Sequence, residues 1–194
     1  VDVDGANLPR VLALDDRDPH GFYNVHLWYQ QSVEVDASGQ TALVRTRAGD
    51  LYLVDLEGPS IRRRIVGPDA RPGFTAGQAL APSGRRIFAL RRSIPGSDMV
   101  AEIVDADTGA TLHRLGTNRD FDIRGPAWFA RDSNLLVTTN GPRLTLWDVG
   151  SGARVGSLGN DPHGHHALRF VPGGDHFLTA GHSGGIDLWD PTPF

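Results

Sequence analysis

Gly184-Gly185-Ile186-Asp187-Leu188-Trp189-Asp190 is the stretch that decides the fold. Ile186 and Leu188 alternate with Asp187 before the run closes on Trp189-Asp190, which is the period of a strand. The same close occurs upstream at Val54-Asp55, Val104-Asp105 and Trp147-Asp148, so that successive Asp residues lie 50, 43 and 42 positions apart. A turn of small and polar residues runs in step with it: Asp36-Ala37-Ser38-Gly39, Ala81-Pro82-Ser83-Gly84, Ala130-Arg131-Asp132-Ser133 and Val171-Pro172-Gly173-Gly174. Two independent markers in one register make this a repeat protein. A period of ~40 to 45 residues built from strands belongs to arrays of small sheets, not to helical repeats.

Repeat three shows how one unit is assembled. Its residues predict strands at 126–130, 135–139, 143–149 and 154–158, with turns at Asp132-Ser133 and Asn140-Gly141-Pro142, where Gly, Pro, Asn and Asp allow the backbone to reverse. The first three strands are apolar on both faces, as in Ala127-Trp128-Phe129 and Leu135-Leu136-Val137. Strands sandwiched between neighbouring sheets read this way, whereas one-sided burial gives strict alternation. The fourth strands are more polar, for example Ile61-Arg62-Arg63-Arg64-Ile65 and Leu112-His113-Arg114-Leu115, and are expected on an outer rim.

The last repeat carries Phe170-Val171-Pro172-Gly173-Gly174, then Phe177-Leu178-Thr179-Ala180-Gly181, then the closing run. Repeat one keeps the same spacing without a Trp, from Val35-Asp36-Ala37-Ser38-Gly39 to Leu51-Tyr52-Leu53-Val54-Asp55. On these residues the chain resembles the WD-repeat family, in a bacterial form. The resemblance spans nearly the whole chain and implies an all-β fold of four β-propeller blades, each of four antiparallel strands, forming a propeller or part of a larger one. It also implies that the family's Trp donates its indole N–H to a Ser or Thr of the second strand. Trp147 is then expected to pair with Thr138 and Trp189 with Thr179. Asp148 and Asp190, like Asp55 and Asp105, are periodic and are expected to orient turns. Val54 and Val104 depart from the pattern, as do Ala48, Gly141 and Ser183 at the turn position where the family has Asp. With the polar network incomplete, apolar packing must hold the array together.

Composition agrees. All 19 Lys+Arg residues are Arg, and among the 23 acids only Glu34, Glu57 and Glu102 are Glu, a usage that removes good helix formers and leaves turn-favouring Asp. It also suggests a high-GC bacterial coding sequence. The lack of Lys excludes P-loop and Schiff-base chemistry, and the lack of Cys excludes thiol nucleophiles and cysteine zinc sites. No apolar stretch reaches the ~18 to 20 residues of a membrane span, and the N-terminus shows no signal pattern, so a soluble, cytoplasmic protein is expected. A net charge of −4 argues against nucleic-acid binding, despite the local clusters Arg62-Arg63-Arg64 and Arg85, Arg86, Arg91, Arg92. Such charges usually guard exposed strand edges.

The expected units are residues 1–27, an outer strand of a preceding or closing blade plus a connection, and repeats at 28–72, 73–120, 121–160 and 161–194. Arg10-Val11-Leu12-Ala13-Leu14 has the character of an outer strand, while repeat four ends after its third strand. That segment is therefore a candidate to complete the last blade, within one chain or between two; the other reading makes the chain the C-terminal piece of a longer array. Repeat two has an enlarged connection, Arg91 to Val100, and long loops on one rim are where repeat proteins carry function.

Three constellations bear on chemistry. Gly181-His182-Ser183-Gly184-Gly185 matches G-x-S-x-G, but a nucleophile elbow needs a helix after the Ser and a His downstream, and here a strand follows. A turn is the better reading. His163, His165 and His166 form a local group that could hold zinc or copper, yet no ligand spacing is diagnostic, and a structural or rim role outweighs a metal site. Arg91, Arg92, His163, His165 and His182 make up the candidate interaction rim. The expected function is a non-catalytic protein-interaction scaffold or sensor without a cofactor, in a larger bacterial protein. Its partner is another protein, or a second copy through propeller faces or strand exchange, with neither nucleic acid nor membrane. The alternative is a small-molecule or metal-binding propeller with activity at an axial pocket.

Overall fold

The computed structural model describes residues 33–45, 51–58, 60–65, 77–92, 98–117, 127–140, 142–159, 165–171, 176–181 and 184–191. Their regular structure is entirely strand. The first sheet runs β1 (Val33–Val35), β2 (Thr41–Arg45), β3 (Leu51–Asp55), β4 (Ser60–Ile65), and the second β5 (Gln78–Leu80), β6 (Arg86–Arg92), β7 (Met99–Asp105), β8 (Thr111–Thr117). The third runs β9 (Ala127–Phe129), β10 (Leu135–Asn140), β11 (Arg143–Asp148), β12 (Arg154–Leu158), and the fourth β13 (His165–Phe170), β14 (Phe177–Gly181), β15 (Ile186–Trp189). Each is an antiparallel meander in chain order. The opening strands lie against one another in series, β1 on β5, β5 on β9 and β9 on β13. The sheets therefore stand radially with their first strands innermost and β4, β8 and β12 outermost.

Strand alternation gives each sheet two apolar faces, and each pair of neighbouring sheets closes one face on another. The leading face of the first sheet, Leu43, Leu51 and Leu53, packs on Leu80, Ile87, Ala89 and Val104 of the second. The leading face of the second, Phe88, Leu90, Ala101 and Ile103, packs on Ala127, Phe129, Leu136 and Trp147 of the third. The third sheet repeats the contact with Val137, Leu144 and Leu146 against Leu168 and Phe177 of the fourth. Burying one such Leu or Ile contributes about 1.5 to 3 kcal/mol, so these three interfaces hold the array together.

The closing aromatic and its partner vary together. Trp147 Nε1 donates to Thr138 Oγ1 at 2.9 Å in a buried bond, and Trp189 Nε1 donates to Thr179 Oγ1 at 2.8 Å. In the first two sheets the equivalent third-strand residues are Val54 and Val104, and the second-strand positions matching Thr138 are Val44 and Ala89. An indole donor taken from water needs an acceptor; a Val side chain does not. The outer strand slips register at the same place in all three four-stranded sheets, at Leu53/Val54, Ile103/Val104 and Leu146/Trp147.

Turns clasp the sheets at both radii. Near the first strands, Ala37 N–H donates to Pro82 O at 2.8 Å, and Ser83 N–H donates to Ser133 Oγ at 3.1 Å. Ser133 takes φ 65°, where the first two sheets have Gly39 and Gly84, and its hydroxyl makes the bond between sheets. At the outer radius, Asp105 Oδ1 accepts from Thr108 N–H and Oγ1, both at 2.9 Å, and Asp148 Oδ1 accepts from Ser151 N–H at 2.7 Å. These bonds shape turns that receive the preceding sheet's outer strand: Arg62 Nη2 lies 2.9 Å from Asp107 Oδ1, and His113 Nε2 lies 2.9 Å from Gly150 O.

Residues Arg91 and Arg92 are strand, not loop as the length of that connection suggested, because β6 and β7 extend their ladder through Arg91↔Val100 and Arg92↔Met99. The first strands of the first and fourth sheets depart from the expected two-sided apolar character, since β1 carries Glu34 and β13 carries Arg169, whereas β9 (Ala127–Phe129) keeps it. The Arg10–Leu14 segment lies outside the described residues.

Gly39 and Gly152 test the outer clasp. Both have left-handed φ, but a Cβ at Gly39 meets nothing within 4 Å, whereas at Gly152 it falls 2.6 Å from His113 Cβ. Gly39→Ala should cost about 1 to 2 kcal/mol from backbone strain alone. Gly152→Ala should cost at least ~1 kcal/mol more in a denaturant melt, as His113 is displaced. Equal costs would contradict the clasp.

Candidate functional site

Among the described residues, the innermost strands are where the repeat pattern breaks into chemistry. Aligning the sheets by register puts Glu34, Ala79, Trp128 and Arg169 at one equivalent position, and Val33, Gln78, Ala127 and Leu168 one residue earlier. A charged residue, an aromatic and an opposite charge thus replace a plain apolar position around the inner side of the array. Arg169 lies with its guanidinium carbon 4.9 Å from the Trp128 ring centroid, a cation–π contact joining the third and fourth sheets. Arg169 Nη1 also donates to Leu168 O at 2.7 Å, which holds the guanidinium in place.

Glu34 points from the first sheet toward the second, and its Oε2 accepts from Leu80 N–H at 2.7 Å. Burial pushes its carboxyl up to about 7, against the Leu80 hydrogen bond and the positive charges of Arg169 and Arg45, which pull the other way. Gln78, two residues before Leu80 on the same face, is 7% exposed, and neither its amide nitrogen nor its amide oxygen has a hydrogen-bond partner. A buried amide left so costs about 1 to 3 kcal/mol per group.

The turn carboxylates behave in the opposite way. Hydrogen bonds from Thr108 hold Asp105 below the usual carboxylate range, and those from Ser151 hold Asp148 there. Burial raises Asp36, but bonds from Ser38, Thr41, Gln40 and Gly39 outweigh it and leave the group low.

The remaining candidates from the sequence are dispersed. Thr138 and Trp147 lie in the apolar layer between the second and third sheets, with Thr179 and Trp189 one interface further on. Asp148 sits in its turn, and Asp190 Oδ2 is 3.9 Å from His176 Nε2. Arg91 and Arg92 lie at the tip of the β6–β7 hairpin, and His165 and His166 in β13; their side chains, with His163, His182 and Ser183, fall outside the described residues. Among the described residues no group of three or more His, Cys, Asp or Glu is placed to hold a metal ion. Glu34, Gln78, Trp128 and Arg169 were missed by motif reading, because none belongs to a motif. The available signal was a lone charge inside Val33-Glu34-Val35 and another inside Leu168-Arg169-Phe170, on strands otherwise apolar.

Solved structures place this arrangement. The C-terminal WD40 domain of Sif2 superposes with a TM-score of 0.64 at 12% identity, over 82% of this chain and 42% of that one. The fold is that of a WD40-type β-propeller. U3-55K matches with a TM-score of 0.62 at 16% identity, over 85% of this chain and 50% of that one. Hydrazine synthase of Kuenenia stuttgartiensis matches with a TM-score of 0.63 at 14% identity, over 88% and 49%. This chain spans about half the length of these solved chains. No family model matches the sequence, and neither does any curated protein. The blade architecture is shared while the sequence has diverged, so the inner-strand residues are read on their own chemistry.

Glu34 gives that reading a pH signature. The native state keeps a proton that an ordinary carboxyl, near 4.5, has lost, so this group's stabilising contribution is complete below about pH 4.5 and is lost as pH rises through 7. The wild-type propeller should lose roughly 2 to 3 kcal/mol across that window, and Glu34→Gln should flatten the slope. Superimposable pH–stability curves for the two proteins would contradict the assignment. The depressed Asp36, Asp105 and Asp148 contribute with the opposite sign, below the usual carboxylate range.

Proposed function

We propose that this propeller is a non-catalytic protein-interaction module whose partner engages the inner margin of the blades around Trp128, Arg169 and Glu34. The observation that carries the reading is the exposed Arg169 lying on the half-buried Trp128 ring. Trp and Arg are the residue types that most often dominate protein interfaces, and a guanidinium already braced on an aromatic loses little freedom on binding. Glu34, with its raised proton affinity, adds an acceptor or donor beside them.

WD40 propellers present rigid blades and a broad face rather than a nucleophile held against a base, and function lies in the site, not in the fold. Catalysis through the Gly181–Gly185 segment would require an elbow geometry, and the strand β15 that begins at Ile186 is the wrong element to follow one. The usage of Arg without Lys fits a bacterial source, and the length of the matched structures fits a scaffold or sensor region within a larger cytoplasmic protein. Candidate rim residues Arg91, Arg92, His163, His165 and His182 would then extend the contact surface.

The second reading, an axial small-molecule site, draws on one observation, the unpartnered amide of Gln78 beside the Leu80–Glu34 bond. One experiment separates the two. Quantitative cross-linking in the source cell should recover a protein that is retained by the wild type and depleted at least tenfold by Trp128→Ala with Arg169→Glu, both propellers melting alike. If no captured protein depends on those side chains, and Gln78→Leu instead abolishes a small-molecule-induced rise in melting temperature, the axial-ligand reading replaces this one.

A further inference from the structure

Arg169 is the charge that an incoming segment meets first at the inner margin. It is exposed, while Glu34 is half-buried with one carboxylate oxygen already taken by Leu80 N–H. Its guanidinium is held from two sides, by the Trp128 ring and by the bond from Nη1 to Leu168 O. Among the described residues no carboxylate pairs with it. The edge formed by Nε and Nη2 is therefore left without an acceptor, and that edge matches the two oxygens of a carboxylate in spacing and direction. A guanidinium already fixed in place loses little freedom when it makes such a pair.

Glu34 sets the condition under which the pair can form. It lies within electrostatic reach of Arg169 and, once ionised, competes with an incoming carboxylate for the same positive charge and repels it. Among the described residues, the charges that act on it are Arg169 on β13 and Arg45 on β2, while β5, which supplies the Leu80 N–H, adds none. Both Arg residues favour the ionised form, yet burial outweighs them and holds the carboxyl at about 7, so that the group is largely protonated at pH 6 and largely ionised at pH 8.

We infer that the inner margin selects a partner segment with an acidic side chain, whose carboxylate takes the open edge of Arg169, and that ionisation of Glu34 loosens the hold. The inference rests on the partner-binding role proposed above and names the chemistry of that partner. A basic segment is disfavoured, because the charge it would seek is the buried, hydrogen-bonded one. Acidic side chains ordinarily titrate near ~4 and stay ionised well above that. Acidic segments should therefore bind more tightly as pH falls from 8 to 6.

Selection from a random displayed dodecapeptide library on the 194-residue chain at pH 6 tests it. Peptides retained by the wild type and lost by Arg169→Gln should be enriched in Asp and Glu. The strongest of them should lose at least ~10-fold in Kd on Arg169→Gln, and as much when its acids are changed to Asn and Gln. Arg169→Lys, which keeps the charge without the paired donors, should fall between. Arg169 is exposed, so both variants should keep the wild-type melting temperature. Between pH 6 and 8, binding to the wild type should weaken about fivefold, the scale of one partly screened charge, and the profile should flatten in Glu34→Gln. Any slope contributed by histidine would persist in that variant. Arg169-dependent peptides without acidic enrichment would overturn the inference and leave the partner-binding role standing. Equal pH slopes in the wild type and Glu34→Gln would overturn the part assigned to Glu34. Absence of any Arg169-dependent peptide would overturn both the inference and the role on which it rests.

Discussion

The structure depends on one contact made three times: the leading apolar face of a sheet seated on the trailing face of the next. Everything else in the chain is arranged around it. A strand with two apolar faces is unstable in water unless both are covered, so no blade can hold its fold alone, and each is ordered by its neighbours. The hydrogen bonds between turns, Ala37 to Pro82 and Ser83 to Ser133, set the spacing near the first strands, and the Asp-centred turns do so at the outer strands. Individually these are modest, and the exposed Arg62–Asp107 pair adds little more than position. Burial supplies the stability; the polar contacts fix the angle at which successive sheets meet.

Much of this was legible in the sequence because repeats announce themselves twice, once in the closing dipeptide and once in the turn. The strands expected at 135–139 and 154–158 are β10 (Leu135–Asn140) and β12 (Arg154–Leu158), within a residue. The spacing that lets Trp147 reach Thr138 reflects a chemical need, an indole donor seeking a hydroxyl, and where Val54 and Val104 replace the Trp, the apolar Val44 and Ala89 take the place of the Thr. The length of the β6–β7 connection misled, because a longer segment between two strands can be spent on extending the hairpin as well as on a loop. Arg91 and Arg92 went into the ladder.

The inner-strand chemistry was illegible for a different reason. Trp128 and Arg169 are one repeat apart and Glu34 and Arg169 three, and Arg169 lies on the Trp128 ring and within electrostatic reach of Glu34 only because the first strands converge. No local spacing encodes that meeting. A motif search looks along the chain, while a propeller gathers its functional positions across it, so a lone Glu between two valines reads as noise until the register of four sheets is known. The same geometry explains why distant sequences share the fold: the faces require only apolar residues of suitable size, and the inner positions are free to specialise.

A double-mutant cycle across one interface tests the central claim most directly. Leu146 of the third blade and Phe177 of the fourth are both fully buried in the same cluster, though they lie 31 positions apart in the chain. If leading-to-trailing packing holds the array, Leu146→Ala and Phe177→Ala should each cost about 2 to 5 kcal/mol. Their combined effect should fall short of the sum by at least ~0.5 kcal/mol, since the second truncation removes a contact already lost. Strict additivity, within ~0.3 kcal/mol, would mean that the two sheets are stabilised independently and would contradict the account.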